Sequence, residues 1–367
     1  MKRLILAIAL STSAHAAPID DAKWLLARPE VTTALQAIPG QNYVWARDTV
    51  LGALGSPVSV PAPVPAPVPT PTPTPVPVPP PSAGVAISGQ TALLNALSGA
   101  RGGETFTLAD GSYTLAITNR RFTAQVTLQG GRGAKFKAYG KITGSSGVTL
   151  KGVSFLGHAA MADAQWSVQI AASDNIIFDG VLIGGTDGTG YGLYVRTNDV
   201  KTITLRNSEV TKWKYGVKIS GGTDWLIENN SIYGIASDGV QISNTNGAKI
   251  LYNKFFGFTP CCGFHPDGTQ MDGPNVNMTI SYNSYRGKMQ GPFYDGRLGP
   301  QTNLTAVGND IRVTYPNAFR VPNATGFVSG NIVDGSEAEY NGQKVAPIVQ
   351  FSGMRSDGTN RVDGRAF

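Results

Sequence analysis

From about residue 126 onward, apolar and polar residues alternate in triplets that return at a nearly regular interval. The triplets begin at Val126, Val148, Ile176, Ile203, Trp225, Ala248, Met278 and, more weakly, Leu304. Successive starts lie 22 to 30 residues apart. Alternation with a period of two predicts strands, and a base period near 22 with insertions predicts a solenoid of stacked coils. An Asn recurs at the same point of successive units, at Asn230, Asn253, Asn283, Asn309 and Asn331. Stacked there, these amides would hydrogen-bond along the solenoid and suit a tight left-handed turn. Ahead of the repeats, Leu93 to Leu97 has helical spacing and ends at Gly99. A helix there would close the otherwise open N-terminal end of the stack. The pattern predicts an all-β domain over residues 84–367, a right-handed parallel β-helix with an N-terminal capping helix.

The first 83 residues follow other rules. Residues 1–16 join a basic start, the apolar run Leu4 to Leu10 and Ala14-His15-Ala16, which reads as a secretory signal peptide. The run is too short to span a bilayer, and no other apolar stretch approaches the length of a transmembrane segment. A secreted or periplasmic location is expected. Residues 17–55 form a small segment of helical spacing broken by Pro29 and Pro39, too short to bury much core and a candidate for docking to a surface or partner. Thirteen of the 27 residues from 56 to 82 are Pro. Such a tract favours polyproline II and would reach about 80 Å as a semi-rigid spacer.

Composition agrees with a turn-rich β protein. Gly is 45 of 367 residues, and charged residues are only 15%. The formal charge is +6, and cleavage after Ala16 would leave 28 basic against 24 acidic residues. That excess is too small to argue for nucleic acid and is compatible with an anionic polymer. The two cysteines, Cys261 and Cys262, are adjacent, and their spacing matches no zinc site.

The second strand of each coil carries the candidate chemistry. Gly192-Leu193-Tyr194, Gly216-Val217-Lys218, Gly239-Val240-Gln241, Gly268-Thr269-Gln270 and Ala318-Phe319-Arg320 align. If the middle residue of each faces the core, then Tyr194, Lys218, Gln241, Gln270 and Arg320 form an outward row. Tyr294 is assigned to the coil between Gln270 and Arg320. A second row holds Tyr191, Tyr215, Asp238, Asp267 and Asn317, and a third holds Arg196, Ser220, Ser243 and Asp272. The longest coil inserts its extra residues just before Asp267, bringing in His265. Long insertions in a regular solenoid are usually functional or disordered. The other histidine of the domain, His158, reads as a structural or rim residue.

The capping helix, the Gly102–Tyr113 stretch and the coils after it resemble the pectate-lyase-like β-helix superfamily, over roughly residues 86–355. The resemblance implies the fold and a carbohydrate-active enzyme, such as a polysaccharide lyase or a glycoside hydrolase. A lyase acting on an acidic, uronate-containing polysaccharide removes a proton α to a carboxylate by β-elimination. Lys218, His265 or Tyr294 would be the base. Arg320, Arg297, Gln241 and Gln270 would hold and neutralise the carboxylate. A Ca²⁺ ion held by Asp238, Asp267 and Asp272 is an alternative neutraliser. A hydrolase would instead use a carboxyl pair, with Asp238 and Asp267 on neighbouring coils. A non-catalytic glycan-binding or adhesion module would stack sugars on Tyr191, Tyr194 and Tyr215.

Overall fold

The computed structural model describes residues 84–366, apart from 159–161, 163, 187, 262 and 264. The expected signal peptide, the 17–55 segment and the Pro-rich tract lie outside the described residues, as does Cys262. Within them the chain winds through three parallel sheets of thirteen, ten and twelve strands. Strand order within each sheet follows the sequence, so each strand pairs with those one coil before and one coil after. Two antiparallel pairs occur among the described residues: Glu339–Tyr340 with Gln343–Lys344, apart from the three sheets, and Arg361–Val362 with Arg365–Ala366, at the end of the twelve-stranded one.

The periodic triplets form the first sheet in the expected register. Ile176 pairs with Val148 on one side and Ile203 on the other, and all three are fully buried. Like residues therefore stack on like residues inside the solenoid. Phe136 stacks on Phe155 at 5.2 Å and Phe255 on Tyr285 at 4.7 Å between ring centroids. Helix α1 (Gln90–Gly99) buries Leu93 and Leu97 in the same core. Each such burial stabilises the fold by about 1.5–3 kcal/mol.

The Asn ladder runs from Asn230 through Asn253, Asn283, Asn309 and Asn331 to Asn360. From Asn253 onward, each rung's side-chain oxygen accepts from the backbone N–H of the Asn one coil earlier, as Asn253 Oδ1 does from Asn230 at 3.0 Å, and Asn230 accepts from Ser208. The left-handed residue of the turn is not the ladder Asn but the one before it. Asn229, Tyr252, Tyr282, Gly308 and Gly330 have φ between 55° and 64°. The ladder amide thus ties down the turn rather than making it.

The second sheet carries the candidate site. Its ten strands are β1 (Ala116–Thr118), β2 (Gly140–Thr143), β3 (Trp166–Ala171), β4 (Tyr191–Val195), β5 (Tyr215–Ser220), β6 (Val240–Ser243), β7 (Asp267–Met271), β8 (Gln290–Phe293), β9 (Asn317–Arg320) and β10 (Ile348–Gln350). Gly192, Gly216, Gly239, Gly268 and Gly291 make a column across it. A Cβ on Gly192 would sit 2.4 Å from the Gly216 carbonyl oxygen, and one on Gly268 would sit 2.3 Å from the Tyr285 ring. The column brings the coils close enough to hold one register.

Candidate functional site

That register fixes which side chains share the outer face. Lys141, Gln169, Tyr194, Lys218, Gln241, Gln270, Phe293 and Arg320 pair in succession from β2 to β9. Tyr194, Lys218, Gln241, Gln270 and Arg320 therefore stand in one row. Tyr294 does not. Phe293 takes its place, and Tyr294 is fully buried with its hydroxyl donating to the Gly299 carbonyl. Burial raises its pKa further, so the sequence-based assignment of Tyr294 as a base is corrected. Gly291 aligns with the Gly column and would have placed Phe293 in the row from sequence alone.

A polar cavity of about 640 Å³ opens on this face over β5 to β9. Tyr215, Asp238, Gln241, His265, Gln270 and Asp272 line one part of it, and Phe293, Asp295, Arg297 and Arg320 line another. Lys218, Tyr191 and Tyr194 lie beside it rather than in its wall. Lys218 Nζ donates to Gln241 Oε1, and Gln241 Nε2 donates to Asp272 Oδ2 at 2.7 Å. Gln270 Nε2 donates to the other oxygen, Oδ1, at 3.0 Å. The Asp272 carboxylate is thus held by two amides. The Lys218 ammonium lies 4.6 Å from the Tyr215 ring centroid and 5.4 Å from that of Tyr191, a cation–π arrangement. Burial lowers its pKa.

Asp238 and Asp267 sit side by side on consecutive coils, and both are buried. The Asp267 N–H lies 3.4 Å from Asp238 Oδ1. Burial raises both carboxyl groups, that of Asp267 to about 6, and the neighbouring carboxyl raises Asp238 further. Two such acids in one dry site share a proton readily. Asp238 reaches the cavity wall, but both Asp267 oxygens are sealed from solvent and make no hydrogen bond. Asp267 therefore does not open onto the cavity, so the Asp238/Asp267 pair expected for a hydrolase is not brought together there; Asp272 and Asp295 are the carboxyl groups that line it with Asp238.

What Asp267 does face is His265. Its Oδ2 lies 3.7 Å from His265 Nδ1, and the Gln290 amide nitrogen lies 3.4 Å from the same atom. Asp267 raises the His265 pKa, against burial, which lowers it. The imidazole itself is 64% exposed at the cavity edge. Its ring packs edge-on to Phe293 at 6.1 Å between centroids, and the Arg320 guanidinium lies 5.8 Å from the same Phe293 ring. Arg320 Nε also donates to Gln350 at 3.3 Å. Arg297 is paired with Asp295, and although burial raises that carboxyl, Arg297 holds it below its usual range.

No three His, Cys, Asp or Glu side chains among the described residues converge to hold a metal ion. Asp238, Asp267 and Asp272 do not form the Ca²⁺ site considered from sequence, because the Asp267 oxygens are enclosed and those of Asp272 are taken by amides. Sequence reasoning also missed Gln290, which lies in register with Asp267. It missed Trp166 as well, whose ring lies 5.7 Å from that of Tyr194.

Residues 141–337, more than half of the chain, match the family described as a right handed beta helix region, and the chain belongs to that family. No curated protein matches the sequence. Among solved structures, the A-module of a mannuronan C-5 epimerase from Azotobacter vinelandii is 20% identical, with 67% of this chain and 71% of that one covered and a TM-score of 0.45. DFA-IIIase from Arthrobacter chlorophenolicus, without its lid, is 12% identical over 77% of this chain and 87% of that one, with a TM-score of 0.48. PfbA, a surface adhesin of Streptococcus pneumoniae, is 13% identical over 67% and 79%, with a TM-score of 0.46. No helix among the described residues is long and apolar enough to cross a membrane.

Proposed function

We propose that this chain is a polysaccharide lyase that cleaves a uronate-containing polysaccharide by β-elimination. One observation carries the reading. A histidine backed by a buried acid and a cation suited to a carboxylate flank the same Phe293 ring in one polar cavity. Abstraction of the proton α to the uronate carboxylate needs a base that titrates near neutral pH and a positive group to take up the developing charge. His265 is that base, and Asp267 is the residue that orients it. Arg320 binds the carboxylate, with its planar fork facing two oxygens.

The electrons of the broken C5–H bond form the C4–C5 double bond, and the C4–O bond breaks. The departing oxygen takes a proton from a neighbouring acid. Two groups in the cavity wall are shifted toward the protonated form. Burial and then the nearby Asp238 push Tyr215 up to about 12, and burial, then Asp267, raise the Asp238 carboxyl well above its usual range. Lys218, Gln241 and Gln270 hold Asp272 still and set the charge at the floor of the cavity.

Hydrolysis is the second reading, favoured by the raised carboxyl of Asp238 in the same wall as Asp272. Asp238 would be the acid and Asp272 the base. The product separates the two. The full-length chain is incubated with polygalacturonate and alginate while unsaturated uronate absorbance and reducing ends are followed together. A rising absorbance that is lost in His265→Ala supports the lyase. Reducing ends without absorbance, lost in Asp272→Asn, would replace it with the hydrolase.

A further inference from the structure

The cavity ends at Tyr215, but the aromatic surface does not. From Tyr215 the rings continue to Tyr191 at 5.4 Å, from Tyr191 to Tyr194 at 4.8 Å, and from Tyr194 to Trp166 at 5.7 Å between centroids. Trp166 meets Tyr139 edge-on at 6.2 Å. None of these five side chains belongs to the buried core, and Tyr139 is 37% exposed. Tyr139 has a left-handed backbone, φ 65°, which is costly for an aromatic residue. Its hydroxyl lies 3.1 Å from His158 Nε2, so His158 helps to fix the ring. A polar cover for a solvated sheet would need none of this apolar surface.

Cations accompany the rings. Lys141 Nζ stands 5.8 Å from the Trp166 ring centroid, and Lys218 stands over Tyr215 and Tyr191. No Asp or Glu occurs in β2, β3, β4 or β5. Flat apolar rings interleaved with ammonium groups match one chemistry, a chain of sugar rings that carries carboxylates.

We propose that the face of β2 to β5, from Tyr139 to Tyr215, is a binding track for an anionic polysaccharide chain, continuous with the cavity and leading into it. The proposal rests on the lyase reading for the cavity but makes a separate demand on binding. Four strands at about 4.8 Å spacing span the length of about three pyranose rings. The track would let the protein hold a long chain while one uronate sits beside His265, and so favour cleavage within a polymer over trimming of short ends.

The test uses the full-length chain carrying His265→Ala, which removes turnover. Oligogalacturonates and oligomannuronates, from dimer to octamer, are titrated in, with binding read by calorimetry and by tryptophan fluorescence. The chain has four other tryptophans, Trp24, Trp45, Trp213 and Trp225, so only a fluorescence change that disappears in Trp166→Phe reports the track. The expected result is an affinity that climbs with chain length and a Trp166-dependent fluorescence change. Trp166→Ala should cost long oligomers about tenfold and leave the shortest unaffected. Lys141→Ala, on an exposed side chain, should remove part of the salt dependence with no loss of fold.

Affinity independent of length overturns the proposal, as does failure of every acidic oligomer to bind. So does equal binding of a neutral cello-oligomer, or wild-type affinity in both the Trp166→Ala and Lys141→Ala proteins. Length-dependent binding by a wild-type chain that turns over none of these polymers would keep the track and remove the lyase. Turnover without length dependence would do the reverse.

Discussion

Two polar stacks run through the same coils, and they differ in one respect. The Asn ladder and the Asp238–Asp267 pair are both buried. Every ladder amide finds partners: Asn253 accepts from Asn230 through Oδ1 and donates through Nδ2 to Asn283 and to the Ile227 carbonyl. An amide carries both donor and acceptor, so it can stack on a copy of itself indefinitely. A carboxylate carries only acceptors. Stacked on its like in a dry site, it must take up a proton or find a cation, and Asp267 has only the nearby His265. The first stack holds the solenoid together. The second costs stability and is the kind of group that a repeat fold keeps for chemistry.

The sharpest way to break this comparison is to exchange the two chemistries. Asp267→Asn should lower turnover of the uronate polymer by about 10²-fold or more, because His265 loses the acid that orients it. The same change should leave the protein as stable as wild type at pH 7, or more stable, since it removes a buried carboxyl with no hydrogen bond. In the Asp267→Asn protein the His265 pKa falls, since Asp267 is what raises it. Any residual rate should then begin its rise at lower pH. Loss of both rate and stability would mean that Asp267 is a structural group like the ladder.

The reverse exchange is Asn253→Asp. It deletes two donors and sets a carboxylate against Asn283 Oδ1, at a cost of about 3 kcal/mol at neutral pH. Thermal unfolding should shift down by several degrees, and the shift should shrink in acid as the new carboxyl protonates. Binding of acidic oligomers at a temperature below the transition should not change.

Proton linkage gives a subtler distinction. The folded-state pKa of Asp267 is raised to about 6, so between about pH 4 and 6 the folded chain binds more protons than the unfolded one, and the raised Asp238 carboxyl acts with the same sign. Their contribution therefore falls as pH rises through that window. His265 adds a second loss with the same sign, because its raised folded pKa favours the fold below the ordinary value and that benefit fades as pH rises past it. Denaturant melts across pH 4 to 8 should show the decline, and Asp267→Asn should flatten it.

The fold was legible in the sequence because a solenoid repeats its physics. One strand period, one Gly column and one Asn ladder recur in coil after coil, so each unit corroborates the next. The row from Tyr194 to Gln270 was legible for the same reason. What was not legible lies where the repeat is interrupted. Trp166 and Tyr139 sit next to coils with longer spacings, and Gln290 sits in a coil whose Pro292 replaces the usual β-branched core residue. The enclosure of Asp267 is a matter of packing between neighbouring coils, and no local pattern encodes that.

The smallest expected effect concerns two adjacent aromatic residues that the sequence alone confuses. Phe293 faces the cavity between His265 and Arg320, while Tyr294 turns into the core. Phe293→Leu keeps an apolar side chain but removes the flat ring that both groups pack against, so KM for the polymer should rise by about three- to tenfold. Tyr294→Phe removes only the hydroxyl that donates to the Gly299 carbonyl. It should cost about 1 kcal/mol of stability and leave kcat within about twofold. A large loss of kcat in Tyr294→Phe, with KM and stability unchanged, would restore Tyr294 as the proton-transfer group and displace His265.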